Sequence, residues 1–249
     1  MSTKNYDIII FGSGIVGLTL AACLDSHGYK IALLDREAKK TLDKKEEQRA
    51  FAIALGSKLF LEKKELWNLY EHKDICPIEK IHVMDGYDEN HLEFNQDEVG
   101  APLGLMLYAE TIRDRIAKHL EKASKNIDYY YEFNCDDFET NGSEVTIKSK
   151  SQTLKAKLLL AVDGRGSFIR NNLKLKTHFH DYEQTALVGT LKHDNNHNNI
   201  AVERFLPHGP FAMLPLHGGK QTSIVWTETP DNAKRILNLK NPEIEEILE

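Results

Sequence analysis

Two glycine-rich turns, each entered from an apolar run, and a strand-dense region from about residue 180 onward predict an α/β fold in two parts. The first part is a dinucleotide-binding, Rossmann-like domain carrying a β-hairpin layer. The second is a mixed β-sheet domain. The first turn is Gly12-Ser13-Gly14-Ile15-Val16-Gly17, after Tyr6 to Phe11; the second is Val162-Asp163-Gly164-Arg165-Gly166-Ser167, after Leu158 to Ala161. One such turn suggests a dinucleotide. Two, far apart in one chain, suggest a large dinucleotide held at both ends.

Tyr6 to Phe11 reads as a short buried strand, being nearly all apolar and rich in isoleucine. Leu18 to Leu24 reads as a buried helix ending near Gly28, a C-cap. Between them Gly12 permits a tight turn, Gly14 lets a pyrophosphate approach without meeting a Cβ, and Gly17 lets the helix pack closely on the strand. Ser13, Ile15 and Val16 complete the turn and the helix start, whose free N–H groups and dipole face the phosphates. A second strand, Lys30 to Leu34, ends at Asp35, eighteen residues beyond Gly17. A carboxylate there accepts from a ribose hydroxyl pair and disfavours a 2′-phosphate, so the ligand is of the FAD or NAD type.

Helical spacing is expected from Gln48 to about Leu61, followed by a break at Cys76-Pro77. Ile78 to Met84 reads as a strand, turning at Asp85-Gly86 into a short strand over His91 to Phe94. Thr111 to Leu120 carries apolar residues at 112, 116 and 120, the stripe of an amphipathic helix. Ile127 to Phe133 and Asp137 to Lys148 read as strands, the latter folded at Asn141-Gly142. Lys157 to Val162 feeds the second glycine turn. Later strands centre on Ala186 to Val188, Ile200 to Val202, Phe211 to Leu214 and Ser223 to Trp226, with turns at His193 to Asn199 and Leu206 to Pro210. The expected division is 1–75 with 100–178 for the nucleotide domain, and 76–99 with 179–249 for the second.

With 249 residues the chain can bury a substantial core, and a formal charge of −6 gives no basic balance to suggest nucleic acid. The mixed-charge runs at Lys39 to Arg49 and Glu62 to Glu65 read as solvated helix faces. No apolar run reaches the length of a membrane-spanning helix, and the first strand begins too early to leave room for a signal peptide. Three isolated cysteines, Cys23, Cys76 and Cys135, point to a reducing compartment, so a cytoplasmic location is expected.

At the second turn, Asp163 cannot favourably touch a pyrophosphate, because like charges in a partly dry site repel. It can instead accept from a ribitol or ribose hydroxyl, with Arg170 orienting the turn. A plain solvent-exposed Asp-Gly turn is the competing reading of this motif taken alone.

These residues resemble the class A flavoprotein aromatic hydroxylases and, within them, the ubiquinone-biosynthesis hydroxylase family. The resemblance runs from Asp7 to about Trp226. It includes the first turn, Leu33-Leu34-Asp35-Arg36, Arg49-Ala50-Phe51-Ala52-Ile53 opening the second helix, Pro77-Ile78, Val83-Met84-Asp85 and Asp163 to Arg170. The most family-specific pieces are Tyr182-Glu183-Gln184-Thr185-Ala186, Arg204-Phe205-Leu206-Pro207, Gly209 to Leu216 and Val225-Trp226. The resemblance implies FAD on the first turn, with Asp35 on the adenosine ribose and Arg36 among the cofactor-binding residues. It implies Arg49 and, on the third helix, Arg113 beside the pyrophosphate or ribityl chain, and Asp163 on the ribityl side. It further implies NAD(P)H as co-substrate, O2 as oxidant and a polyprenylated phenol as substrate. It admits contact with other ubiquinone-biosynthesis proteins and with the inner membrane surface. No catalytic residue is assigned.

Two departures stand out. Tyr108-Ala109 occupies the place of the family's usual Glu-Asn pair. The chain also ends at Glu249, before the family's Gly-Asp segment near the flavin ring, so it reads as a truncated member. A flavoprotein reductase or oxidase, and a non-catalytic fragment of the family, are the competing functional classes. Among the eleven histidines, His193 and His197 lie four apart with His178 and His180 nearby, but Asp194-Asn195-Asn196 reads as a turn, and no metal site is expected there.

Overall fold

The computed structural model describes residues 3–39, 49–88 and 90–248. Contacts divide the chain into two units: Met1–Glu47, Leu61–Leu69 and Ala109–Thr177 in one, Gln48–Phe60, Tyr70–Tyr108 and His178–Glu249 in the other. Residues 49–60, 70–75 and 100–108, assigned from sequence to the nucleotide domain, therefore cluster with the second unit.

In the first unit, β1 (Thr3–Phe11), β2 (Ile31–Leu34), β8 (Ile127–Tyr130) and β11 (Thr153–Ala161) run parallel in the order β8-β2-β1-β11. β10 (Val145–Lys148) and β9 (Asp137–Thr140) extend the sheet antiparallel beyond β11, joined through the expected Asn141-Gly142 hairpin. Both faces of the central strands are buried, which is why their apolar runs are continuous rather than alternating. Ile9, Phe11, Ala32 and Leu34 pack with Tyr130, Phe133, Ile147 and Leu154 in one cluster. On these strands Ile8, Ile10, Ile31 and Leu33 alternate to the other face and are equally buried. α1 (Ile15–Asp25) packs against α3 (Ala109–Ala123), whose buried Ala109, Ile112, Ile116 and Leu120 form the apolar stripe expected from the spacing. The short α4 (Phe168–Asn172) follows the second glycine turn.

The second unit holds a six-stranded mixed sheet in the order β12 (Thr185–Lys192), β15 (Gln221–Glu228), β14 (Gly209–Pro215), β13 (Ile200–Leu206), β5 (Lys80–Asp85) and β6 (His91–Asn95). Only the β5–β13 pair is parallel. α5 (Pro230–Leu237) and α6 (Asn241–Leu248) follow β15. A smaller sheet places β7 (Gly104–Tyr108) between β3 (Ala50–Ile53) and β4 (Cys76–Ile78).

That smaller sheet corrects two expectations. Ala50 to Ile53 does not open a helix; it pairs antiparallel with Leu105 to Tyr108, and α2 (Leu55–Lys63) begins only after it. Four apolar residues satisfy either periodicity, and the distant strand decides. Gln48, where the helix was expected to start, lies outside the described residues, as does most of the charged run after Lys39. Cys76-Pro77 is not a break but part of β4, a strand paired only with β7, where a proline's missing N–H removes no ladder bond.

Candidate functional site

β1 and β11 are neighbours, with Phe11 level with Ala161 and the Val162 N–H donating to the Phe11 carbonyl at 2.9 Å. The two glycine turns therefore leave the sheet side by side, at the carboxyl ends of parallel strands, where open α/β sheets bind ligands. Gly12 has φ +116°, and a Cβ there would lie 2.4 Å from the Val162 carbonyl oxygen of the second turn. A Cβ on Gly17 would lie 1.8 Å from the Gly12 carbonyl oxygen. The protein itself thus demands glycine at both positions.

Gly14 is different. Its backbone, at φ −69° and ψ −176°, suits any residue, and a Cβ added there meets nothing within 4 Å among the described residues. Gly14 is the N-cap of α1, which has no side-chain cap and no acidic residue in its first turn. The positive end of the helix is left for a group from outside the chain.

Asp35, at the end of β2, does more than the sequence suggested. Its Oδ2 accepts from the Ser13 N–H at 2.7 Å and from the Ser13 hydroxyl at 2.6 Å, and its Oδ1 accepts from the Glu37 N–H at 2.9 Å. The carboxylate clamps the first turn and retains lone pairs for ribose hydroxyls. A serine inside the glycine motif, paired with an acid at the next strand's end, was the available signal for this clamp. Asp163 Oδ2 accepts from the Phe168 N–H at 2.7 Å, while its Oδ1 is buried and has no partner among the described residues. A buried acceptor left unpaired costs about 1–3 kcal/mol, so this oxygen calls for a donor from outside the chain. Arg170 bonds the Arg165 carbonyl and so braces the second turn, as expected.

A cleft of about 370 Å³ in the first unit is lined by Ser13, Leu18 and Tyr131, by the cations Lys39, Arg113 and Lys118, and by the carboxylates Glu110, Asp114 and Glu121; Lys39 pairs with Glu121 and Lys118 with Asp114. It brings Arg113, from α3, to the first turn. Arg36 is exposed and is not among the lining residues; Arg49 is exposed and belongs to the second unit. The open flank of Gly14, the uncapped α1 and the unpaired Asp163 oxygen together fit a phosphate-bearing dinucleotide with ribitol or ribose hydroxyls.

In the second unit, Glu203 stands between Val83 and Ala212 of the flanking strands, on a sheet face shared with Ala201 and Phe205. Burial among these apolar neighbours pushes its carboxyl above the ordinary glutamate range. His193 and His197 hold the connection between β12 and β13. His193 pairs with the Asn195 carbonyl at 2.6 Å and Thr222 Oγ1 at 2.8 Å; His197 pairs with the Leu216 carbonyl at 2.7 Å and accepts from the Asn199 N–H at 3.0 Å.

Residues 5–249 match the family model described as an FAD binding domain. The chain is 34% identical over 238 residues to the ubiquinone hydroxylase UbiL of Rhodospirillum rubrum, covering 95% of this chain and 55% of the relative. It is 29% identical over 256 residues to the mitochondrial ubiquinone biosynthesis monooxygenase COQ6 of Rattus norvegicus, covering 96% and 53%. The chain thus spans about half the length of the curated relatives it matches. Among solved structures, it is similar to pqsL, a probable FAD-dependent monooxygenase from Pseudomonas aeruginosa, with TM-score 0.82, 16% identity, and 99% of this chain and 67% of that one covered. It is also similar to the p-nitrophenol 4-monooxygenase PnpA of Pseudomonas putida, with TM-score 0.80, 18% identity, and 100% and 62% covered. These last two likenesses establish the fold.

Proposed function

We propose that this chain, which belongs to the family described as the FAD binding domain and is similar to ubiquinone-biosynthesis hydroxylases along about half their length, serves the hydroxylation of a polyprenylated phenol with electrons from NAD(P)H and oxygen from O2. The observation that carries this reading is the glycine at position 14, which the fold does not require, at an uncapped helix beside a second turn with an unpaired buried carboxylate oxygen.

That geometry supports the following residue roles. Gly12 to Gly17 and the first turn of α1 bind the pyrophosphate through backbone N–H groups. Asp35 holds the turn through Ser13 and accepts from the adenosine ribose. Asp163 Oδ1 accepts from a hydroxyl of the ribityl side. Arg113 offsets phosphate charge from the cleft wall. Arg49 and Arg36 carry over from the family resemblance alone. Bound FAD supplies the electron transfer and oxygen insertion, and the protein supplies orientation and exclusion of water.

No helix among the described residues is long and apolar enough to cross a membrane. A polyprenyl tail nonetheless partitions into lipid, so the proposal includes a cytoplasmic protein touching the inner membrane surface and handing substrate to other ubiquinone-biosynthesis proteins. The test supplies the FAD-loaded chain with NADH or NADPH, a short-chain prenylphenol and isotope-labelled O2. One labelled oxygen in the ring is the expected result. Peroxide formation with no labelled phenol would favour a reductase or oxidase instead.

A further inference from the structure

The β5–β6 ribbon gathers three side chains of the kinds that bind borderline divalent metals. His82 and Glu93 are direct cross-strand partners, and His91 faces Met84 two residues further along, so strand alternation puts all three on one face. His82 Nε2 lies 3.0 Å from Glu93 Oε2, and the two imidazoles stack with centroids 4.1 Å apart. One ligand atom from each residue falls within 4.8 Å of the other two. Zinc bonds of about 2.0–2.2 Å in a tetrahedron separate ligand atoms by roughly 3.4 Å. Binding would draw the three ligand atoms together by rotation of their side chains.

We propose that His82, His91 and Glu93 form a zinc-class metal site, with two imidazole nitrogens, one carboxylate oxygen and a water in the fourth position. Two imidazoles select zinc, cobalt, nickel or copper over magnesium or calcium, which require mostly oxygen ligands. Glu93 now receives the Lys80 ammonium at 3.0 and 3.2 Å, so the carboxylate already faces a cation that a divalent ion would displace. His91 and Glu93 are exposed, giving the ion a direct path from solvent. β6 is the last strand of its sheet, paired only with β5. An ion bridging the two strands clips that edge, and by mass action it stabilises the fold that presents the ligands.

The test titrates the chelator-treated chain with Zn2+ by calorimetry and with Co2+ by visible absorbance, beside thermal melts with and without Zn2+. Expected are uptake of one ion, tetrahedral cobalt bands and a raised Tm, all lost in His82→Ala and His91→Ala and weakened in Glu93→Gln. His178→Ala combined with His180→Ala, both exposed and outside the ribbon, should bind as the parent does. His91 is an exposed side chain, so its variant tests binding without disturbing the core. Failure of the parent chain to take up either metal overturns the proposal. So does uptake that persists unchanged in both His91→Ala and Glu93→Gln.

Discussion

Gly12 and Gly14 stand two residues apart but answer to different neighbours. A side chain at 12 meets the Val162 carbonyl and needs a backbone at φ +116°, whereas one at 14 meets nothing within 4 Å among the described residues. Gly12→Val should cost at least about 2 kcal/mol of stability. Gly14→Val should cost less than about 1 kcal/mol, the scale of a changed N-cap, yet abolish FAD binding, because the branched side chain fills the space the pyrophosphate needs. Urea melts and flavin absorbance of both variants separate the two effects; wild-type FAD affinity in Gly14→Val would remove the first turn from the site. Glu203 poses a different residue-scale question. Its carboxyl is raised by burial, so folding favours the protonated form. The stability this contributes is complete below the ordinary glutamate value and is lost as pH rises through the raised folded value. Glu203→Gln should therefore melt with the parent near about pH 4 and above it at pH 7. Equal melting temperatures across that range would show a solvated carboxylate.

Elements differ in how far local spacing decides them. β1, α1 and α3 could be read directly, since a buried isoleucine run, a glycine triplet and an i, i+4, i+8 stripe each specify one periodicity. β3 could not, because Ala50 to Ile53 is short enough to satisfy helix or strand until β7 supplies its ladder. The site divides the same way. The glycines and Asp35 were legible from the strand–turn–helix order, but the Ser13–Asp35 clamp depends on how the loop folds back on β2. His82, His91 and Glu93 converge only once the β5–β6 register is known. The clamp makes a prediction about the element as a unit. Asp35→Ala removes a ribose acceptor and frees two Ser13 donors together, so FAD affinity should fall by about 1–3 kcal/mol. Amide exchange at residues 12–17 should quicken even without FAD. Ser13→Ala keeps the backbone N–H bond to Asp35 and should lose less. Unchanged exchange in Asp35→Ala would reduce the carboxylate to a ligand contact alone.

At the scale of the molecule, the residues that hold the proposed cofactor are concentrated in one of the two units. Both glycine turns, Asp35, Arg113 and Asp163 lie in the first, whose parallel sheet ends its strands at the turns. The second unit contributes the mixed sheet and the smaller three-stranded one, with a buried cluster of Cys76, Ile78, Met106, Ala201 and Leu216 drawn from both and from the end of β14. A ligand that binds only folded protein stabilises it by about 2.7 kcal/mol at one hundred times its Kd. For amides that exchange through local or sub-global opening, that stabilisation is expressed where the contacts are made. FAD should therefore slow amide exchange at Gly12 to Gly17 and Asp163 to Ser167, and along β1 and β11 behind them. The ladders of β14 and β15 belong to the second unit and should exchange at the same rate with and without FAD. Exchange mass spectrometry at saturating FAD resolves the two units. Protection confined to β12 to β15, with both glycine turns unaffected, would move the cofactor to the second unit and leave the open flank of Gly14 without a function.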